Sequence, residues 1–225
     1  MRAIILAAGI GKRMSEVSEG MPKCLIPFKG KTILERQLEL FKQANIKDIV
    51  IVTGFKKELI QKASPKAKHI FNKDFETSNN ITSVLKAEKE ILNNDCIITY
   101  ADILFDKDTL IECKKSRNSC LVVSKQGDSE QVRAFNKRVV EIGNHLDKLG
   151  NSRFIGLAKI RAKDTGLFLH TIKLLLPEYK DRYYTKAIRK MIMYDVIFSA
   201  IKSGKWAELD TPENQKEIGD LLSAE

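Results

Sequence analysis

The first twenty-five residues constrain this chain more than any other stretch. They read M-R-A-I-I-L-A-A-G-I-G-K-R-M, pass through a polar gap, and resume as P-K-C-L at Pro22–Leu25. Ala3 to Ala8 is an apolar run of strand length that breaks into Gly9 and Gly11, followed by Lys12 and Arg13. A strand running into a glycine loop presents bare backbone N–H groups, and such a concavity suits an anion. Arg13 and Lys23 add fixed charge beside it, and a guanidinium grips phosphate oxygens through two donors at once. The pattern predicts a triphosphate cradle at the carboxyl end of the first strand. Other glycine loops fit less well. A dinucleotide fingerprint would need a third glycine where Met14 stands, and a Walker A loop would need Ser or Thr where Arg13 stands. The apolar run is also shorter than the roughly 7–15 residues of a secretory h-region.

Further along, strand and helix patterns alternate. Thr32-Ile33-Leu34-Glu35 is a capping box, and Ile33, Leu34, Leu38 and Phe41 recur at helical spacing. Ile49-Val50-Ile51-Val52 reads as a buried parallel strand that Gly54 ends. A short helix over Lys56–Ala63 and a strand over Lys68–Phe71 complete β-α-β-α-β, the pattern of a doubly wound α/β sheet. The polar stretch from Asn72 leads into a helix that Thr82 or Ser83 could cap, whereas the amides of Asn79 and Asn80 suit a pyrimidine edge or small head group. Cys96–Phe105 is a strand carrying Asp102 near its carboxyl end, where open α/β sheets bind ligands. Ser119–Val123 is another strand, and Gln131–Phe135 with Arg138–Ile142 form a hairpin across Asn136-Lys137. Phe154–Ala158 returns as a strand through Gly156, where backbone can approach closely. Helices follow over Ala162–Leu176 and Tyr183–Lys202, separated by Pro177; Tyr179, Tyr183 and Tyr184 between them suit core or rim packing, with a pocket wall or homodimer contact left open. Trp206–Leu209 is a strand, with Asp210 or Thr211 as N-cap and Pro212 as first helical residue.

Composition excludes several classes. With 225 residues and 43% hydrophobic content the chain can bury a full core, and no repeat or linker divides it. Cys24, Cys96, Cys113 and Cys120 form no C-x-x-C pair and lack a histidine at metal spacing, which fits free thiols in a reducing cytoplasm. No apolar run reaches the ~18 residues of a membrane span. The net charge of +10 is spread over lysines interleaved with acids, without aromatics spaced for base stacking, so no nucleic-acid partner is expected. His145 reads as a surface residue.

The string L-A-A-G-I-G-K-R-M…P-K-C-L, the segment Y-A-D-I-L-F and the closing W-A-E-L-D-T-P-E together resemble the nucleotidyltransferase superfamily that activates sugar phosphates and phosphorylated head groups. Asn79-Asn80 and Y-A-D-I-L-F look most like its phosphocholine and 2-aminoethylphosphonate cytidylyltransferase branch. The resemblance implies a single domain with a Rossmann-like doubly wound mixed sheet of GT-A type, residues 1–125 forming the nucleotide-binding core and 126–225 the acceptor side, with a small β-ribbon and C-terminal helices. It implies catalytic roles for Arg13 and Lys23, and nucleotide contacts from Leu6, Ala7, Ala8, Gly9, Gly11, Lys12, Asn80, Ser83 and Ala101. Asn79, Gly156 and Trp206 would face the acceptor, and Asp102 with Asp210 would hold Mg2+. The chain departs from its relatives in two places. Tyr100 stands where many carry a second acid, and Asn144 stands where a lysine follows the ribbon, with Lys148 a substitute that nothing requires. The implied reaction is CMP transfer from CTP to a small phosphonate or phosphomonoester with release of pyrophosphate. A sugar-1-phosphate nucleotidyltransferase and a non-catalytic nucleotide-binding module are the alternatives. Asp74, Glu76, Trp206 and the tyrosines are unranked candidates for holding an acceptor amine.

Overall fold

The computed structural model describes residues 1–11, 20–126 and 130–223. Lys12 and Arg13 of the sequence reading therefore lie outside the described residues. Strand β1 (Arg2–Ala7) is buried on both faces, as its apolar run predicts: Ile4 and Leu6 face one core, Ala3, Ile5 and Ala7 the other. A small hairpin of β2 (Pro27–Phe28) and β3 (Lys31–Thr32) leads into α1 (Ile33–Gln43). The capping box is formed: Glu35 N–H donates to Thr32 Oγ1, and Thr32 N–H donates to the Glu35 carboxylate. Such a cap contributes about 1 kcal/mol.

The chain continues through β4 (Asp48–Thr53), α2 (Lys57–Ala63) and β5 (Lys68–Phe71) to α3 (Asn80–Lys86) and α4 (Glu88–Ile91). Then come β6 (Cys96–Tyr100), β7 (Ile103–Phe105), α5 (Lys107–Lys115) and β8 (Ser119–Ser124). The ribbon β9 (Gln131–Phe135) and β10 (Arg138–Ile142) turns at Asn136 and Lys137, both with positive φ, as the hairpin reading requires. It is followed by β11 (Ser152–Ile160), α6 (Ala162–Tyr179), α7 (Thr185–Met193), β12 (Phe198–Lys202), β13 (Trp206–Glu208) and α8 (Asn214–Ser223).

Nine of these strands form one mixed sheet in the order β5-β4-β1-β6-β11-β8-β12-β10-β9, with β9 also pairing β11. The β5-β4-β1-β6 half is parallel, so its strand ends and their loops gather along one edge. A separate antiparallel pair, β7 with β13, lies beside that edge.

Four local expectations are corrected. The second C-terminal helix does not run from Tyr183 to Lys202. It stops at Met193, Asp195 takes a left-handed φ of 63°, and Phe198–Lys202 is a strand between β8 and β10. Pro177 does not end the preceding helix but lies inside α6, near its carboxyl end, where packing on α3 and α7 outweighs one lost hydrogen bond. Helix α3 is capped by Asn79, not by Thr82 or Ser83. Helix α8 begins at Asn214 rather than Pro212, because Asn214 Oδ1 accepts from the N–H groups of Asp210 and Thr211 and holds the intervening residues in a turn.

Candidate active site

The carboxyl ends of β1 and β6 open onto a cavity of about 1030 Å³. Leu6, Ala7, Ala8, Gly9 and Gly11 form one wall. The loop is braced from β4: Phe55 N–H donates to Ala8 O at 3.1 Å, and a Cβ on Gly54 would stand 2.4 Å from that same oxygen. Gly11 has a φ of +69°, and a Cβ there would lie 2.9 Å from Lys23 Cγ. The glycine thus serves two needs, a left-handed turn and room for the stem of Lys23.

Lys23 begins a 3₁₀ turn at Lys23–Leu25, whose Cys24 is buried and anchors the turn to the core. Its ammonium reaches across to Asp210, 2.7 Å from Oδ1, and lies 3.9 Å from Asp102 Oδ2. The three side chains are only 12%, 21% and 27% exposed, so these charges act through a medium less polar than water. Asp102 follows β6 in the turn before β7. That turn is held by Gln37 of α1, whose buried amide donates to Tyr100 O at 2.9 Å and Ile103 O at 2.7 Å. Leu209 N–H donates to Asp102 O at 2.8 Å, and Ile103 pairs with Glu208, so the β7–β13 ladder ties the two acidic segments together.

The ladder also brings in a residue that the sequence reading passed over. Asp102, Glu208 and Asp210 each offer a carboxylate oxygen within 4.8 Å of the other two. The signal was present: in W-A-E-L-D, Ala207 and Leu209 are buried in a small core with Leu104 and Ile218, so Trp206, Glu208 and Asp210 take the other face. Trp206 lines the cavity accordingly. Three hard carboxylates at this spacing are a donor set suited to Mg2+ or Mn2+, with phosphate oxygens and water completing the shell. Lys23 sits against the trio as a fixed cation.

The opposite wall carries Asn72, Phe75, Ser78, Asn79, Asn80, Ser83 and Tyr100, with Ala101 beside Leu6 through an N–H···O bond of 3.2 Å. Asn72, also absent from the expectations, is its hub: Nδ2 donates to Ser83 Oγ at 3.2 Å and Oδ1 accepts from Asp74 N–H at 3.1 Å. Asn79 and Asn80 line the cavity but also clamp this wall to the α6–α7 loop. Asn79 Nδ2 donates to Asp181 O, and Asn80 Oδ1 accepts from Tyr184 N–H at 2.8 Å. Gly156 does not line the cavity. Its φ is +91° and a Cβ would fall 2.5 Å from the Tyr100 ring, so the close approach it permits is to that ring. Asp74 is tied to Lys86 at 2.8 Å, and neither it nor Glu76 lines the cavity. Tyr184 is fully buried and Tyr183 lines the cavity, whereas Tyr179 lies under Lys186. Asn144 itself lines the cavity; the side chain of Lys148 lies outside those described. His145 is exposed and bonded to Glu141 at 2.7 Å, as a surface residue.

The chemistry open to this site is narrow. Burial, reinforced by the charge of Asp102, pushes the Cys24 thiol up to about 12, so the sulfur beside Lys23 is no nucleophile at neutral pH. What remains is backbone N–H groups, a cation and clustered carboxylates, an apparatus for holding phosphates.

Comparison with known proteins agrees. The pattern of the MobA-like NTP transferase domain matches residues 3–162. The CTP:phosphoglutamine cytidylyltransferase of Campylobacter jejuni is 26% identical over 243 aligned positions, covering 93% of this chain and 96% of that protein. The choline-phosphate cytidylyltransferase of Haemophilus influenzae is 28% identical over 175 positions, covering 77% and 74%. Among solved structures, the inositol-1-phosphate CTP transferase from T. maritima superposes with a TM-score of 0.82 at 22% identity over 99% of this chain and 94% of that one, a likeness of fold. From the glycine loop to the strand that returns beneath Tyr100, this chain belongs to the MobA-like NTP transferase family, and it is a nucleotidyltransferase.

Proposed function

We propose that the protein is a magnesium-dependent cytidylyltransferase that transfers CMP from CTP to a small phosphonate or phosphomonoester. An oxygen of the acceptor attacks the α-phosphorus in line, the new P–O bond forms as the bond to the β-phosphate breaks, and pyrophosphate leaves. The attacking oxygen is already anionic, so no protein base is required, and catalysis rests on positioning and charge neutralisation.

Each part of the site has a task in this reading. The loop from Leu6 to Gly11 would cradle the triphosphate through backbone N–H groups, with Lys12 and Arg13 adding charge toward the leaving pyrophosphate. The Lys23 ammonium would turn from Asp210 to the α-phosphoryl as charge builds there. Asn80, Ser83 and Ala101 would flank the nucleoside, while Asn79 and Trp206 border the acceptor; Gly156 would act only by seating Tyr100. Asp102, Glu208 and Asp210 would hold the divalent ion, which supplies charge neutralisation and a common template for nucleotide and acceptor.

The observation that supports this most is the meeting of Asp102, Glu208, Asp210 and Lys23 beside the glycine loop, from segments far apart in the chain. The test is pyrophosphate release from each of four nucleoside triphosphates against phosphocholine, 2-aminoethylphosphonate, simple alkyl phosphates and hexose 1-phosphates, with Mg2+ and with EDTA. The expected result is Mg2+-dependent release confined to CTP and the small head groups. Release with hexose 1-phosphates alone would replace this reading by the sugar-nucleotide one, and no release with any pair would refute catalysis.

A further inference from the structure

The reaction scheme uses none of the four cysteines, yet two of them touch. Cys113, in the last turn of α5, and Cys120, on β8, are fully buried with their sulfurs 3.7 Å apart. A buried ammonium stands beside them. Lys159 of β11 pairs with Cys120 in the sheet, and its Nζ donates to Lys114 O at 2.7 Å and Ser116 O at 2.8 Å, closing the carboxyl end of α5. Its charge favours the anionic form of both sulfurs. The two thiols differ all the same. The hydrogen bond shared with Cys113 holds the Cys120 thiol below its ordinary range, with Lys159 adding to it, whereas the same bond and burial push Cys113 well up. Cys120 is thus the sulfur that gives up its proton, with a neutral thiol against it, the arrangement of an attacking and a resolving cysteine. The outer face of α5, with Lys107, Asp108, Glu112 and Lys115, is exposed, so the pair lies one helix layer beneath solvent. A small neutral oxidant needs only a local opening of that last turn to arrive.

Helix α5 joins this pair to the acidic trio. It follows β7 directly, and Asp106 caps its first turn by accepting from Thr109 N–H at 2.8 Å. The same turn is fastened to the segment that leads into β13. Asp106 N–H donates to Lys205 O at 3.0 Å, the Asp106 carboxylate accepts from Lys205 N–H, and Gly204 N–H donates to Thr109 Oγ1 at 2.8 Å. Both strands of the ladder that brings Asp102, Glu208 and Asp210 together are therefore tied to the amino end of a nine-residue helix whose other end holds Cys113. Such a helix is a rod about 13 Å long. Cys120 cannot give way, because β8 is hydrogen-bonded to β11 on one side and to β12 on the other. Bonding the sulfurs means closing 3.7 Å to about 2.05 Å in a packed core that also holds Phe105 and Leu110, and α5 is the element that must shift.

We propose that Cys113 and Cys120 are a redox modification site: a hydroperoxide converts them to a disulfide, α5 is drawn toward β8, and the β7–β13 ladder moves so that the acidic trio loses its grip on a divalent ion. The Cys120 thiolate attacks one peroxide oxygen, the O–O bond breaks, and hydroxide leaves, taking up the proton that the thiol lost. The Cys113 thiol then attacks the sulfenic sulfur, the S–S bond forms, and the sulfenic hydroxyl departs with the Cys113 proton as a second water. Two electrons pass from the sulfurs to the peroxide, and a dithiol reductant returns both thiols. Neither cysteine lines the cavity, so the pair sets the activity of the site from outside it.

In the experiment the full chain is treated with hydrogen peroxide, quenched with catalase, and measured with and without dithiothreitol, beside Cys113→Ala and Cys120→Ala. Peptide mapping seeks a cross-link between residues 113 and 120, thiols are counted in denaturant, Mn2+ binding is followed by electron paramagnetic resonance, and pyrophosphate release gives kcat. The treated parent should show two thiols in place of four, the cross-link, and roughly tenfold losses of Mn2+ affinity and kcat, all reversed by dithiothreitol. Either alanine variant should keep the values of the reduced parent and lose the reversible response. Absence of the cross-link in the treated parent overturns the site, a result read on unmutated protein even if a variant folds poorly. A cross-link that leaves Mn2+ affinity unchanged overturns the coupling to the trio, and a loss that persists in Cys113→Ala belongs to other side chains and overturns it as well. Cross-link and Mn2+ affinity are read without nucleotide, so a protein that fails to turn over CTP would refute the cytidylyltransferase reading and leave these two measurements to decide the redox site.

Discussion

Replacing Lys23 by methionine removes one charge and keeps the aliphatic stem that crosses Gly11, so it isolates what the ammonium does. That ammonium lies 2.7 Å from Asp210 and 3.9 Å from Asp102. At the effective dielectric of a partly exposed site, a unit charge about 4 Å away is worth on the order of 4 kcal/mol before desolvation is subtracted. The loss should act in opposite directions on two quantities. Turnover should fall by about 10²–10³, the usual cost of removing one preorganised donor aimed at developing charge. Affinity for a divalent ion should hold or rise, because Lys23 competes with the ion for Asp210 and its removal leaves three carboxylates within 4.8 Å of one another. Steady-state pyrophosphate release measures the first effect, and Mn2+ titration followed by electron paramagnetic resonance the second. If Lys23→Met kept kcat within about threefold of the parent, the ammonium would not be stabilising the transition state. A parallel loss of kcat and Mn2+ affinity would instead make Lys23 a structural part of the acidic cluster.

Other perturbations follow from the same geometry. Glu208→Gln should raise the Mg2+ concentration needed for half-maximal rate by roughly 10–100-fold while leaving the unfolding midpoint near that of the parent, and EDTA should stop turnover in both. Gln37→Leu strips hydrogen bonds from the carbonyls of Tyr100 and Ile103, at about 1–3 kcal/mol for each group left unpaired. It should lower Tm by roughly 2–4 °C per kcal/mol lost, with kcat falling as Asp102 loosens. All four cysteines are free and buried, so Ellman's reagent should find no rapidly reacting thiol in the native protein and four after denaturation. Burial raises the Cys24 and Cys96 thiols from 9.0 to about 12. The unfolded chain releases those protons first, so stability should decline as pH rises from about 9 toward 12, as the linkage of proton binding to folding requires; flat stability across that window would contradict the burial of both.

Where one physical rule acted alone, the residues predicted the structure closely. Thr32 and Glu35 had only each other to cap, and Asn136-Lys137 both tolerate the left-handed turn that joins β9 to β10. The buried run of β1 could hardly be anything but a central strand. Prediction failed where distant packing decided. Phe198–Lys202 carries no strong strand signature and continues a helical apolar pattern, but β8 and β10 offer it hydrogen bonds on both sides. Asn79 and Asn80 line the cavity, as their polarity suggests, but the residues alone did not show that they also clamp the α6–α7 loop. Gln37 looked like one more polar residue on an amphipathic helix. Only the fold shows that its buried amide closes the turn carrying Asp102.

The acidic trio shows why so small an element can govern the site. Asp102 is separated from Glu208 and Asp210 by α5 and all of β8 through β12, and the core sheet alone does not bring them together. The three-residue ladder of β7 with β13 does, by pairing Ile103 with Glu208, Leu104 with Ala207 and Phe105 with Trp206. Because side chains alternate along a strand, this register turns Ala207 and Leu209 into the core with Leu104 and sends Trp206, Glu208 and Asp210 to the cavity. A slip of one residue would reverse every one of those assignments, burying two carboxylates and exposing two apolar side chains. Burying an unpaired carboxylate costs several kcal/mol, far more than a three-residue ladder gains in hydrogen bonds. The apolar residues that alternate with the acids therefore hold the acids in register, and a polar substitution at Leu209 should disturb divalent-ion binding although its side chain faces away from the cavity.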